Sequence, residues 1–331
     1  MTGTPVRRGP RGGVFCLGVL LLAAPAAAQS ALDDAGTFSI VARDPRTGEL
    51  GLAVQSKAFA VGSRVITIKG GIAVIAHQAT SNPMYGALAL ELLLAGMSPQ
   101  QALDVVVKSD EGRDRRQVAV LDIQGRTAAW TGPGANDWKG HRCGTDYCAQ
   151  GNILTGPEVV EAMAESFESS SGPLAERMLA ALDAAQAAGG DARGMQSAAL
   201  VVAKPLAGAA GFSDRVVDLR VDDHRTPLVQ LRRLLEMFRS NELVGAARDA
   251  LDAGRLPEAL ETATAASRRS PENDNAWVML ARIHIRSGRR AEALEAVRRA
   301  VDLNPANKRQ LPKDPAFEPV RNDPGFLAIV R

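Results

Sequence analysis

From residue 37 onward apolar and polar positions alternate, and the alternation predicts a strand at 37–43, a turn at Pro45-Arg46-Thr47-Gly48 and a strand at 50–57. Further strands are predicted at 64–69 and 71–78, divided by Gly70-Gly71. The period then becomes helical. Tyr85, Leu88, Ala89, Leu92 and Leu93 share one face of 83–95. Ser98 caps a second helix, with Pro99 at its first position and Gln101 three residues after the cap. A second strand pair is expected at 117–123 and 126–131, and a strand at 149–154. Helices at 156–169 and 173–188, strands at 197–203 and 215–221, and a helix at 227–239 complete this part.

Strand groups alternating with helix pairs predict an α+β fold of two antiparallel sheets stacked face to face, each covered outside by helices. Segments 72–76 and 198–203 are apolar at every position, as strands covered on both sides are. A doubly wound α/β fold would set one strand before each helix, and the adjacent hairpins fit it less well.

From residue 240 the chain turns to Ala, Leu, Arg and Glu in helical patterns. Gly254-Arg255-Leu256-Pro257-Glu258-Ala259-Leu260 recurs as Gly288-Arg289-Arg290-Ala291-Glu292-Ala293-Leu294, and Pro271 recurs as Pro305, both 34 residues later. That is the tetratricopeptide period. Two such repeats bury little surface alone, so they are expected to dock on the preceding domain or on a partner, with 314–326 capping the exposed end.

Length and charge narrow the function classes. The 331 residues suggest two domains. With 39 basic against 37 acidic residues and no basic stripe, nucleic acid is not an expected partner. Arg7, Arg8 and Arg11, the apolar stretch 14–24 and Ala26-Ala27-Ala28 read as a secretory signal at 1–28, cut before Gln29. No later segment is apolar for long enough to span a membrane. The expected location is periplasmic or secreted, off the membrane once the signal is removed. Only Cys143 and Cys148 survive that cut, and in an oxidising compartment they read as a small disulfide loop. The zinc alternative, with His141 and His224, lacks a recognisable ligand spacing. No metal or other cofactor is expected.

The candidate chemistry centres on Gly36-Thr37. A cut there would place a nucleophilic hydroxyl and a free α-amine on one residue. Such an amine has a pKa of roughly 7.7–8.0, against about 10.4 for lysine, and suits the role of base near neutral pH. Lys57 would lower the pKa of that amine or hydroxyl by its charge, or is a solvated strand end. Asn152 and Gln150 would stabilise an oxyanion, or satisfy a buried turn. Gln78 and Ser197 are pocket positions. Asn82, before Pro83, reads as a helix cap ahead of a substrate contact. Asp222-Asp223-His224 also reads as a cap, and His77 as a satisfied core histidine.

Several stretches together resemble one family. These are Thr37-Phe38-Ser39-Ile40-Val41-Ala42-Arg43-Asp44, Ala53-Val54-Gln55-Ser56-Lys57, Asn82-Pro83 with Tyr85-Gly86, Gln150-Gly151-Asn152, Gln196-Ser197-Ala198-Ala199 and Val221-Asp222-Asp223-His224. They resemble the bacterial and archaeal domain-of-unknown-function family 1028, whose fold is similar to that of N-terminal-nucleophile (Ntn) hydrolases. The resemblance covers about residues 37 to 238. It implies a four-layer αββα Ntn-hydrolase-like sandwich at 37–239; the signal cut would leave a leader at 29–36, and the 34-residue period gives an all-α tetratricopeptide-like region at 240–331. The resemblance further implies Thr37 as nucleophile. Some relatives carry a peptidoglycan-binding module, which points to cell-wall amides. The chain departs from proteasome-type enzymes at Gln55-Ser56-Lys57, where those show an aspartate. Two readings therefore stand. One is an exported Ntn-type amidohydrolase acting on a small-molecule or peptide amide. The other is a non-catalytic scaffold whose repeats bind a protein partner. Self-processing without later turnover lies between them, and substrate and homo-oligomerisation stay open.

Overall fold

Burial along the first strands shows why they pair as they do. The computed structural model describes residues 1–3 and 36–331. Residues 4–28 of the export signal expected at 1–28, and all of the 29–36 leader except Gly36, lie outside the described residues.

The strands are β1 (Thr37–Asp44), β2 (Glu49–Ser56), β3 (Ile66–Lys69), β4 (Ala73–Ala79), β5 (Arg116–Asp122) and β6 (Thr127–Thr131). They continue as β7 (Gly140–Gly144), β8 (Tyr147–Asn152), β9 (Ser197–Ala203) and β10 (Arg215–Val221). Two antiparallel sheets result, one of order β10-β9-β2-β1-β8-β7 and one of order β3-β4-β5-β6. In β1, alternate residues serve different neighbours. Phe38, Ile40 and Ala42 pack with helices α3 (Glu158–Ser169) and α4 (Leu174–Ala187), while Val41 joins Val74, Ala76 and Ala119 of the other sheet. On that second sheet Ala73, Ile75 and Val118 meet α1 (Met84–Leu94) and α2 (Pro99–Lys108). The period of two thus makes each central strand apolar on both faces. Helix α2 begins with the expected capping box, Ser98 accepting from Gln101 N and the Gln101 side chain accepting from Ser98 N, a device worth about 1 kcal/mol.

Strand β7 was not expected, because Gly-His-Arg-Cys-Gly lacks apolar alternation. It lies at a sheet edge and is tied to β8 by the Cys143–Cys148 disulfide. Closing so short a loop restricts the unfolded chain by about 2 kcal/mol on the chain-entropy model. Replacing both cysteines by serine is therefore expected to lower unfolding stability by about that amount, read from urea curves without reductant. No change would mean the bridge does not constrain the unfolded chain.

The helix expected to close at 239 continues without interruption as α5 (Pro227–Asp252). Its second half pairs with α6 (Leu256–Arg269), and α7 (Asp274–Arg286) with α8 (Arg290–Leu303). Small residues such as Ala247, Ala263, Ala266 and Ala281 let these helices approach closely. Phe317 and Phe326 of the C-terminal tail, both fully buried, stack 5.9 Å apart over the last pair. The repeats rest on the sheet domain through Glu176 of α4, which accepts from Arg239 at 2.8 Å and from Arg269 at 3.3 Å. No described helix is long and apolar enough to cross a membrane.

Candidate functional site

Thr37 begins β1, and its cross-strand partners are Ser56 of β2 on one side and Asn152 of β8 on the other. Directly paired residues share a face, so all three side chains enter the space between the sheets. There they meet Gln78 of β4 and Gln117 of β5. The result is a polar layer closing one end of an otherwise apolar sandwich.

Every member of this layer is at most 2% exposed, so each polar atom needs a partner. The Thr37 and Ser56 hydroxyls are 3.0 Å apart, and Ser56 donates to the Gly36 carbonyl at 2.5 Å. With that donation made, the Thr37 hydroxyl is the donor to Ser56. Ser39 donates to Gln78 Oε1 at 2.6 Å, and Gln78 Nε2 donates to the Thr37 carbonyl at 3.1 Å and to Gln117 Oε1 at 2.9 Å. Gln117 is the hub. Its Oε1 also accepts from Asn152 Nδ2 at 3.0 Å, and its Nε2 donates to the Gly151 carbonyl at 2.8 Å and to Thr131 at 3.0 Å. Gln150 sits deeper, donating to Ser39 at 3.4 Å and to the Ala76 carbonyl at 3.3 Å.

A second polar group approaches from the loop before β9. Arg193 Nη2 donates to the Gly36 carbonyl at 3.1 Å. Asp191, whose side chain is fully buried, accepts from Arg193 Nη2 at 2.9 Å and Nε at 3.1 Å, and from the Lys57 backbone N–H at 3.0 Å. Beside Thr37 lies a cavity of about 10 Å³ between Ala58, Val61, Val65 and Gln78, room for about one water. Ala60, Ala79 and Ile153, near its rim and next to the layer, have φ of 51°, 63° and 52°. Left-handed backbone is costly for non-glycine residues, most of all for β-branched Ile153, and such strain concentrates at functional sites.

Of the residues singled out in the sequence, Thr37, Asn152, Gln78 and Gln150 come together in this layer. Ser197 pairs with Ser56 in the sheet, but its hydroxyl donates to the Ala58 carbonyl at 2.5 Å and accepts from Val61 N at 3.0 Å, shaping the loop over the cavity. Lys57 does not join. It follows the last residue of β2, is exposed, and its Nζ lies 3.5 Å from the Met195 carbonyl. Asn82 accepts from Met84 N at the start of α1. His224 accepts from Thr226 N ahead of α5, and Asp223 accepts from Gln196. Ser56, Gln117, Asp191 and Arg193 were not foreseen. Ser56 was reachable from hairpin register, whereas Asp191 and Arg193 lie in an aperiodic stretch.

His77, on the outer face of β4, bonds Thr67 at 3.2 Å and Ser81 at 3.1 Å, and burial pushes its pKa down to about 4. Below about pH 6.5 the unfolded chain takes up a proton that the folded ring refuses until about pH 4. Stability is expected to fall by roughly 3 kcal/mol as pH drops through that window. Urea unfolding at pH 7 and pH 4.5 checks this, since His77→Gln should remove most of the difference. An unchanged slope in that variant would assign the loss elsewhere.

A family model described as a family of unknown function, DUF1028, matches residues 37–231. A tetratricopeptide repeat model matches residues 244–308. The crystal structure of a Silicibacter pomeroyi protein carrying the same DUF1028 family model is 36% identical to this chain, with a TM-score of 0.56. The likeness covers 61% of this chain and 85% of that one. No curated protein matches. The chain belongs to the DUF1028 family of unknown function, and tetratricopeptide repeats follow the family domain.

Proposed function

We propose that this protein is an exported Ntn-type amidohydrolase whose nucleophile is Thr37. The observation that carries the reading is the Thr37 hydroxyl itself. It begins a central strand, points between the sheets, and is hydrogen-bonded within a buried polar layer. The apolar clusters on both outer faces and between the sheets support a four-layer Ntn-like sandwich. The basic and apolar N-terminal pattern and the disulfide support export to the periplasm or beyond.

Gly36 precedes Thr37, so activation requires one cleavage. The Thr37 hydroxyl oxygen attacks the Gly36 carbonyl carbon and forms an ester. The Gly36–Thr37 amide bond breaks, and the hydroxyl proton finishes on the released α-amine. Water then splits the ester into the Gly36 carboxylate and a restored hydroxyl. In turnover the α-amine takes the hydroxyl proton as Thr37 attacks a substrate amide. The leaving amine receives that proton, and water releases the acyl group. A β-lactone probe tests this. Peptide mapping should find the label on Thr37 and none in Thr37→Ala; labelling elsewhere only would oppose it.

A second reading has its own support. The cavity beside Thr37 has room for about one water, and tetratricopeptide repeats are interaction modules. On that reading the sandwich is a scaffold. Partner capture that survives Thr37→Ala and is lost on altering the repeat surface, with no labelling of Thr37, would favour it.

A further inference from the structure

We propose that Ser56 and Arg193, the latter positioned by Asp191, hold the carbonyl under attack and restrict the site to glycyl-type acyl groups, those without an L side chain. This rests on Thr37 being the nucleophile.

Two donors converge on one oxygen. The Gly36 carbonyl accepts from Ser56 Oγ at 2.5 Å and from Arg193 Nη2 at 3.1 Å. This is the carbonyl that Thr37 attacks on the proposed route, so negative charge develops on the atom that a hydroxyl and a guanidinium already face. Donors preset at that position lower the barrier without reorganising. Asp191 acts through Arg193. Its carboxylate takes the guanidinium at two points, takes the Arg193 backbone N–H at 2.9 Å, and takes the Lys57 N–H at 3.0 Å. The planar guanidinium is thereby fixed in direction.

The same pair leaves no space at the neighbouring carbon. A Cβ on Gly36 would lie 2.7 Å from Asp191 Oδ2 and 2.9 Å from Arg193 Nη2. Neither atom is the free end of a flexible chain, because each holds the other. After processing, the nucleophile and both donors are unchanged, so a substrate's carbonyl takes the place of Gly36's. Its α-carbon inherits the crowding. The substrate class is then an N-acylglycyl amide or a comparably unbranched acyl amide.

The test uses processed protein that keeps its repeats, each Arg193 or Asp191 variant being shown by mass to begin at Thr37, and two probes, the p-nitrophenyl esters of N-acetylglycine and N-acetyl-L-alanine. The glycine ester is expected to acylate at least about 10-fold faster, a comparison that needs no variant. Arg193→Gln should lower the glycine burst rate by roughly 10²-fold. Added guanidinium should restore part of the rate in Arg193→Ala, which a purely structural arginine would not show. Asp191→Ala should bring the two ester rates together, since it removes the carboxylate nearest the added Cβ and lets the guanidinium retreat. Circular dichroism confirms that each variant is folded. Equal ester rates with a burst still abolished by Thr37→Ala would overturn this inference and leave the nucleophile standing. A burst that survives Thr37→Ala would overturn both.

Discussion

Thr37→Ala is expected to leave the Gly36–Thr37 bond uncut and to lower amide hydrolysis by roughly 10⁴-fold, while the protein stays folded. The chemical loss is large because the change removes the only atom proposed to bond to the acyl group. The structural loss is small. Among the described residues Thr37 gives up its hydrogen bond to Ser56, and Ser56 keeps the Gly36 carbonyl as its acceptor; a bond of this kind contributes about 1 kcal/mol. Thr37→Ser keeps the hydroxyl and should retain activity within about 10-fold. Rate assays paired with urea unfolding separate these effects. A Thr37→Ala protein with normal turnover would end the proposed chemistry, whereas one that is merely unfolded would leave it to Thr37→Ser.

The second large effect concerns stability. Gln117→Leu is expected to destabilise the fold by about 3–5 kcal/mol, because it keeps the buried volume and removes every polar contact of the hub. Asn152 Nδ2 and Gln78 Nε2 lose their shared acceptor, and the Gly151 carbonyl loses a donor. Stranded buried groups of this kind cost about 1–3 kcal/mol each. Because Gln78 also holds the Thr37 carbonyl, reaction of Thr37 with acyl probes should slow in the same variant. A change below about 1 kcal/mol would show that the layer is held by other contacts.

Much of the fold was legible because period and punctuation report it directly. The 197–203 strand is found where a run of apolar residues set it, the 215–221 strand where it was expected, and the Ser98 cap is formed as expected. Strand β7 was not legible, since its pairing comes from a hairpin partner and a disulfide and not from apolar residues of its own. The length of α5 was missed because a change in composition at 240 marks a new packing partner, which a continuous helix can meet without a break.

The site was legible only in part. Thr37, Gln78, Gln150 and Asn152 were named on residue type and position, and the sheets bring them together. Lys57 against Ser56 is a matter of parity. The hairpin sets Thr37 opposite Ser56, so the next residue leaves the sheet on the other side. Gln117 looked like the polar start of an ordinary strand, and its role exists only once β4 and β8 flank it. Asp191 and Arg193 carry no periodic signal, because they act from a loop whose course is set by neighbours distant in sequence.

The central claim is that the working chain begins at Thr37, and the mass of the intact protein recovered from an exporting host, read with its N-terminal sequence, tests it most directly. A wild-type chain starting at Thr37, beside a Thr37→Ala chain that retains Gly36, is the predicted result. A wild-type chain that keeps Gly36 and still hydrolyses amides at full rate would contradict it.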